Sequence, residues 1–280
     1  MQNKVYKIGD CVISLESDER IGESRPFVKF RSEEKADITV RIICGALPAV
    51  TGKLLFESDV KKVYSDGNRR YTYRSYFNSH KNEYVQFACR VSGCDEELMF
   101  IDYPYGLWDK MIFDALDLPD ILLQRQKIIL HCSFVLANGK ALLFSADKQV
   151  GKSTQASLWH KYSGSRTING DRAVLGFENG CLTAWGLPFC GTSNITKNES
   201  APVKAIVLLS QGKTNCIQSL TPGQAFKGIL GKITYNQWDE KAAEAVADIA
   251  CLIAGTKVYG FSCLPDESAV KTLEKVLWYN

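Results

Sequence analysis

Ala141-Leu142-Leu143-Phe144-Ser145-Ala146-Asp147-Lys148-Gln149-Val150-Gly151-Lys152-Ser153-Thr154 is the stretch on which the reading of this chain turns. The apolar run 141–144 predicts a strand. Residues 146–153 nearly match G-x-x-x-x-G-K-[ST], and residues 154–162 carry a short helical pattern closed by Ser163-Gly164. Strand, loop and helix in that order are the context this motif requires. In such a loop successive backbone N–H groups curl around phosphate oxygens, and the positive end of the next helix adds to their field. Lys152 would reach the β- and γ-phosphates, and the Ser153 hydroxyl would ligate Mg²⁺. Ala146, Asp147, Lys148, Gln149, Val150, Gly151, Lys152, Ser153 and Thr154 are therefore the expected phosphate-binding set, against an incidental loop as the plain alternative. Ala146 replaces the first glycine of the motif, and Lys148 and Gln149 fill positions that are often small. Alanine costs little there if φ is negative and is strained if φ is positive.

Working outward, residues 128–136 form one long apolar run, joined to 141–144 by Ala137-Asn138-Gly139-Lys140, an Asn-Gly hairpin signal. His131 lies in that run, either as a proton relay near neutral pH or as a hydrogen-bonded core histidine. A phosphate loop also needs a carboxylate about a strand away, to hold the metal or take a proton. Asp171 fits, at the end of Arg166-Thr167-Ile168-Asn169-Gly170; a turn aspartate is the plainer reading. Arg172 would pair with Asp171 or with a phosphate. Lys197, in the polar loop Gly191-Thr192-Ser193-Asn194-Ile195-Thr196-Lys197, would neutralise transferring charge or simply be solvated, as would Lys204.

The rest of the chain divides by pattern. Residues 5–14, 37–44, 61–77, 84–91 and 97–103 read as strands, with a hairpin turn at Ser65-Asp66-Gly67-Asn68. Arg69-Arg70-Tyr71-Thr72-Tyr73-Arg74 alternates basic and aromatic residues, as a stacking surface for a base or as a solvated face over packed tyrosines. Residues 107–116 and 118–126 have helical spacing. Beyond the loop, strands are expected at 173–177, 182–187, 203–209 and 258–264. Helices are expected at 222–230, after the Thr221-Pro222 cap signal, at 239–254, and from Pro265-Asp266-Glu267 to about Trp278. This organisation predicts a β-rich N-terminal domain over 1–105, a helical connector over 106–127 and a loop-bearing domain over 128–280.

With 280 residues, 45% of them hydrophobic and 23% charged, the chain can bury a sizeable core, which excludes a disordered or fibrous protein. A net charge of +3, evenly spread, predicts no nucleic-acid partner. No apolar window reaches membrane-spanning length, and Met1-Gln2-Asn3-Lys4-Val5-Tyr6 lacks the apolar core of a secretory signal, so no membrane association and a cytoplasmic location are expected. The ten cysteines form no C-x-x-C; the closest pair is Cys89 and Cys94, and only three histidines are present. Buried free thiols are expected rather than a zinc site, Cys251 among them.

Taken together, Ile129-Leu130-His131-Cys132-Ser133, residues 144–159, Ile168-Asn169-Gly170-Asp171-Arg172-Ala173, Trp185-Gly186-Leu187-Pro188-Phe189-Cys190-Gly191 and Ser200-Ala201-Pro202-Val203-Lys204-Ala205-Ile206 resemble the HPr kinase/phosphorylase-like group. The match is to its uncharacterised bacterial branch, found beside peptide-modification genes, and it spans residues 128–230. The resemblance implies an α/β (α+β) architecture: a PEP carboxykinase-like P-loop domain with a mixed sheet, preceded here by the smaller β-rich domain. It implies ATP (or GTP) and Mg²⁺ as cofactors, Asp171 and Lys152 as catalytic residues, and Ser153 and Asp171 as metal ligands. The implied reaction moves the ATP γ-phosphate to a hydroxyl of a peptide or protein serine or of a small molecule. HPr kinases form hexamers, so a homo-oligomer is among the outcomes. Their two adjacent acids fall at Gly170-Asp171, where only the second is acidic, while Asp147 matches an acidic position inside their loop. Asn215-Cys216-Ile217-Gln218-Ser219 lies where relatives carry arginines. These departures leave a second reading, a catalytically silent ATP-binding module whose β-rich domain recognises a protein or peptide partner. Decarboxylation is disfavoured by the scarcity of histidine.

Overall fold

The computed structural model describes residues 1–93, 97–104 and 106–279; Cys94, half of the closest cysteine pair, lies outside them. The chain is a mixed α/β protein of two units, Met1–Leu118 and Pro119–Asn280, dividing inside the stretch 106–127 expected as a connector.

The first unit runs β1 (Gln2–Ile8), β2 (Cys11–Ser17), α1 (Arg25–Val28), β3 (Ile38–Cys44), β4 (Lys53–Glu57), β5 (Lys61–Ser65), β6 (Arg70–Asn78), β7 (Glu83–Ser92), β8 (Glu97–Ile101) and α2 (Asp109–Ala115). Its eight strands form one open sheet in the order β1-β2-β3-β8-β7-β6-β5-β4, parallel only across β2-β3-β8. The run 5–14 is two strands rather than one, because the chain turns back at Gly9-Asp10 and pairs Ile8 with Cys11. β4 is absent from the sequence reading because nearly every one of its residues is exposed, which erases the alternation that marks a half-buried strand. In the aromatic–basic segment Tyr73 is buried, its hydroxyl donating to Pro48 O at 3.0 Å, and Tyr71 donates to Asp66 at 3.1 Å. These tyrosines pack and cap the unit's own hairpin.

α3 (Leu118–Leu123) starts on the last residue of the first unit, and the second continues with β9 (Ile128–His131), β10 (Ser133–Ala137), β11 (Lys140–Ser145), α4 (Lys152–Ser163), β12 (Arg166–Asn169), β13 (Arg172–Glu178) and β14 (Cys181–Trp185). Then come β15 (Ser200–Gln211), β16 (Cys216–Ser219), α5 (Pro222–Leu230), β17 (Ile233–Thr234), α6 (Glu240–Ala254), β18 (Val258–Cys263) and α7 (Glu267–Trp278). The sheet runs β12-β10-β11-β15-β14-β13-β9-β17, with β18 against β15 and β16 against β18. β15 is its pivot. Residues Ser200–Pro202 pair antiparallel with β14, while the later part runs parallel to both β11 and β18.

The apolar run 128–136 breaks at Cys132. β10 stays in the Asn138-Gly139 hairpin with β11, whereas β9 leaves to pair with β13. Alternate residues of the parallel region face opposite cores. Phe134, Leu143 and Ile206 pack with Ile229 of α5 and Ile253 of α6. Leu142, Phe144 and Val207 pack with Trp159 of α4 and Leu273 of α7. This two-sided burial explains why these strands read as continuous apolar runs. The expected caps form: Thr221 and Gln224 make a capping box, and Asp239 and Asp266 cap α6 and α7. The nine described cysteines are free thiols; Cys181, Cys216 and Cys251 are exposed rather than buried, Cys251 because it lies on the outward face of α6.

Candidate functional site

β11 delivers the loop at its C-terminal end, beside the parallel neighbour β15, where open α/β sheets bind ligands. Positive φ falls on Gln149 (66°) and Gly151 (125°), and Ala146 has none, so alanine at the first glycine position carries no backbone strain. Gly151 is the N-cap of α4 and supplies no side-chain cap, and Ser153 and Thr154 are exposed in the first turn. The Lys152 ammonium curls back along the loop, donating to Ala146 O at 3.0 Å and Asp147 O at 3.2 Å. Burial holds its pKa below the ordinary lysine value, while the negative charge of Asp171 pulls the other way.

Asp171 is set by its neighbour Asn169, which is wholly buried. The Asn169 amide donates to Leu187 O at 2.8 Å and Phe189 O at 2.9 Å, and its oxygen accepts the N–H of Asp171 (2.9 Å) and of Arg172 (3.0 Å). An Asx turn so anchored fixes the backbone at residue 171. Cys132 N–H donates to Asp171 O at 3.0 Å, tying that turn to the break between β9 and β10. Arg172 stands opposite His131 in the β13–β9 register. Its Nε donates to Asp171 Oδ2 at 2.8 Å, and Asp171 Oδ1 lies 3.5 Å from His131 Nδ1. Of the two partners expected for Arg172, the structure shows Asp171. Burial, reinforced by the Lys152 charge, holds the His131 imidazole below its usual pKa against the pull of Asp171.

His131, Lys152, Asp171 and Arg172 therefore form one electrostatic cluster. Lys197 is half-buried, and no ion pair or hydrogen bond of its ammonium joins it to that cluster among the described residues. Two contributors are absent from the list of expected site residues. Asn169 was legible as the first residue of Asn-Gly-Asp, a turn signal. Lys232 had no signal: it follows α5, its carbonyl accepts the His131 N–H at 2.8 Å, and its ammonium pairs with the Asp147 carboxylate.

Among the described residues no group of three or more His, Cys, Asp and Glu is placed to hold a metal ion. Mg²⁺ does not need such a cage, since it commonly takes one or two carboxylates with waters and substrate phosphates. The donor set of exposed Ser153 and Asp171 fits that habit, because a carboxylate has more acceptor sites than its two present partners use.

Gly170 has no space for a side chain. A Cβ there would overlap the Cβ and Oγ of Ser193, so the missing second acid is excluded by packing. Gly170→Asp is expected to destabilise the chain by about 1–3 kcal/mol, the usual cost of overpacking. Adding Ser193→Gly should restore most of it, and urea midpoints of the two variants check this. A second prediction concerns His131. The unfolded chain takes up a proton more readily than the fold does, so the histidine's contribution to stability is fully present above about pH 6.5 and is lost as pH falls below it. His131→Gln should flatten that part of the pH–stability curve, read from urea midpoints at several pH values; an unchanged slope would contradict it.

In the first unit a 570 Å³ cleft is walled by Tyr76, Phe87, Tyr103 and Trp108, with Arg74 donating to Asp114 O at 3.0 Å. The coupled titratable cluster lies instead at the loop of the second unit. No protein-family model matches the chain, and no curated protein sequence matches it. Among solved structures the chain is similar to the Hpr(Ser) kinase/phosphatase from Coxiella burnetii. The identity is 13% and the TM-score 0.32, over 53% of this chain and 94% of that one.

Proposed function

We propose that the second unit binds a nucleoside triphosphate, ATP or GTP, on the loop 146–153 and transfers its γ-phosphate to a hydroxyl. The observation that carries this reading is the anchored Asp171 carboxylate, electrostatically coupled to the loop lysine Lys152 and flanked by Arg172 and His131. Ser153 and Asp171 would hold Mg²⁺, which supplies charge neutralisation on the phosphates when bound. The loop amides and Lys152 orient the triphosphate. Asp171 orients the acceptor hydroxyl and takes its proton as the acceptor oxygen bonds to the γ-phosphorus and the bridging oxygen leaves with the diphosphate. Arg172 holds that carboxylate in place through its Nε. The acceptor is an O–H that one carboxylate can reach, a condition that a peptide or protein serine and a small-molecule hydroxyl both meet.

The test is transfer of label from γ-³²P-ATP to serine-containing peptides and small alcohols by the wild type and by Lys152→Ala. Label transfer lost in the variant supports the kinase reading. Saturable nucleotide binding with no transfer to any acceptor supports the silent partner-binding module instead. That second reading is favoured by the single acid at 170–171 and by the engagement of Asp171 with Arg172 at 2.8 Å.

A further inference from the structure

We propose that Lys232 is a second cationic contact for the polyphosphate, with Asp147 as the counter-ion that phosphate displaces. This inference rests on the nucleotide reading above and deepens it.

Asp147 touches two ammonium groups at once. Its carbonyl accepts from Lys152, and its carboxylate pairs with Lys232. Both lysines thus converge on one residue of the loop, close enough that the Lys232 charge helps depress the Lys152 pKa. Two like charges gathered at one residue of a loop make a site for an anion with several charges. The pair is lopsided: the Lys232 side chain is 20% exposed and that of Asp147 is 81% exposed. The ammonium is therefore held against the loop while its partner stands in water. An ion pair with one well-solvated member is weak and exchanges readily for a phosphate oxygen, a stronger partner for lysine.

The backbone of Lys232 is fixed independently of that pair. Its carbonyl accepts the His131 N–H, and the next residue, Ile233, registers with Leu130. The lysine is thus carried on a segment bonded to β9, so its backbone is held whichever partner its ammonium takes.

The experiment is calorimetric titration of the full-length chain with Mg-ATP and separately with Mg-tripolyphosphate, which lacks base and sugar. Lys232→Met is expected to weaken both ligands by about tenfold, the loss of one charge-assisted contact, with Lys232→Arg restoring most of it. Asp147→Asn is expected to tighten both severalfold by removing the competing carboxylate. Ligand-free thermal midpoints confirm that each variant is folded, and Lys232→Gln serves if the methionine variant is not. Wild-type binding that Lys152→Ala abolishes but Lys232→Met leaves intact overturns the role of Lys232 alone. Loss of ATP binding with tripolyphosphate binding unchanged also overturns it, since Lys232 would then act on the nucleoside. A wild type that binds neither ligand overturns the nucleotide reading and this inference with it.

Discussion

Mg-ATP is expected to raise the thermal midpoint of the second unit by about 5–10 °C, and Lys152→Ala to remove that shift entirely. A ligand at a hundredfold its dissociation constant stabilises the folded state by about 2.7 kcal/mol. A unit the size of Pro119–Asn280 gains roughly 2–4 °C per kcal/mol. Lys152 is the residue to remove because its ammonium already lies along the loop, on Ala146 O and Asp147 O, and a rotation would turn it from those carbonyls to a phosphate. Truncation removes two hydrogen bonds from the free protein, one of them partly buried, at a cost of about 1–3 kcal/mol. The variant's own midpoint is the control. A shift of equal size in wild type and variant would place any nucleotide site elsewhere. No shift in either, with ATP and with GTP, would remove the basis for a kinase and leave partner binding as the reading.

Asp171→Asn is expected to lower turnover about 10²–10⁴-fold, the usual worth of a positioned proton acceptor. Asparagine keeps the size of the side chain and the Asn169 turn, whose hydrogen bonds to residue 171 run through its backbone N–H. The turn is kept while the ion pair with Arg172 becomes a neutral contact, so urea unfolding should show a loss of about 1 kcal/mol or less. The readout is phosphate release from Mg-ATP with water as acceptor, followed over a Mg²⁺ series. If Asp171 also ligates the metal, half-saturation moves to higher Mg²⁺; if it only takes the proton, that value stays and the maximal rate alone falls. Turnover equal to wild type would exclude Asp171 from the chemistry altogether.

Three features of this cluster show where local sequence stops being informative. The run 128–136 is apolar throughout, so no periodicity marks the point at which the chain changes neighbours, and it reads as one strand. The break at Cys132 arises from pairing with β13, more than forty residues away, and it is that pairing which sets His131 opposite Arg172. The gap at residue 170 reads from sequence as a lost acid. In the fold it is a contact, with Ser193 occupying the space a side chain would need. Lys232 carries no motif, because its closeness to Asp147 depends on the short antiparallel pairing of β17 with β9.

What the sequence determined by itself is what short-range physics controls. The Asn138-Gly139 turn adopts the positive φ values that a two-residue hairpin needs, and the Thr221, Asp239 and Asp266 caps start helices where an oxygen can accept an early N–H. The passage from β11 through the loop to α4 belongs to this class too, since its conformation is carried by Gln149, Gly151 and the apolar residues on either side. Only the tertiary structure decided which charges meet. It brought Lys152, Asp171, Arg172 and His131 together, left Lys197 out, and added Lys232 through strand pairings whose partners are distant in the chain. Such pairings are chosen by burying whole sheet faces, as Phe134, Leu143 and Ile206 do against α5 and α6, and that choice leaves no local signature in the residues it aligns.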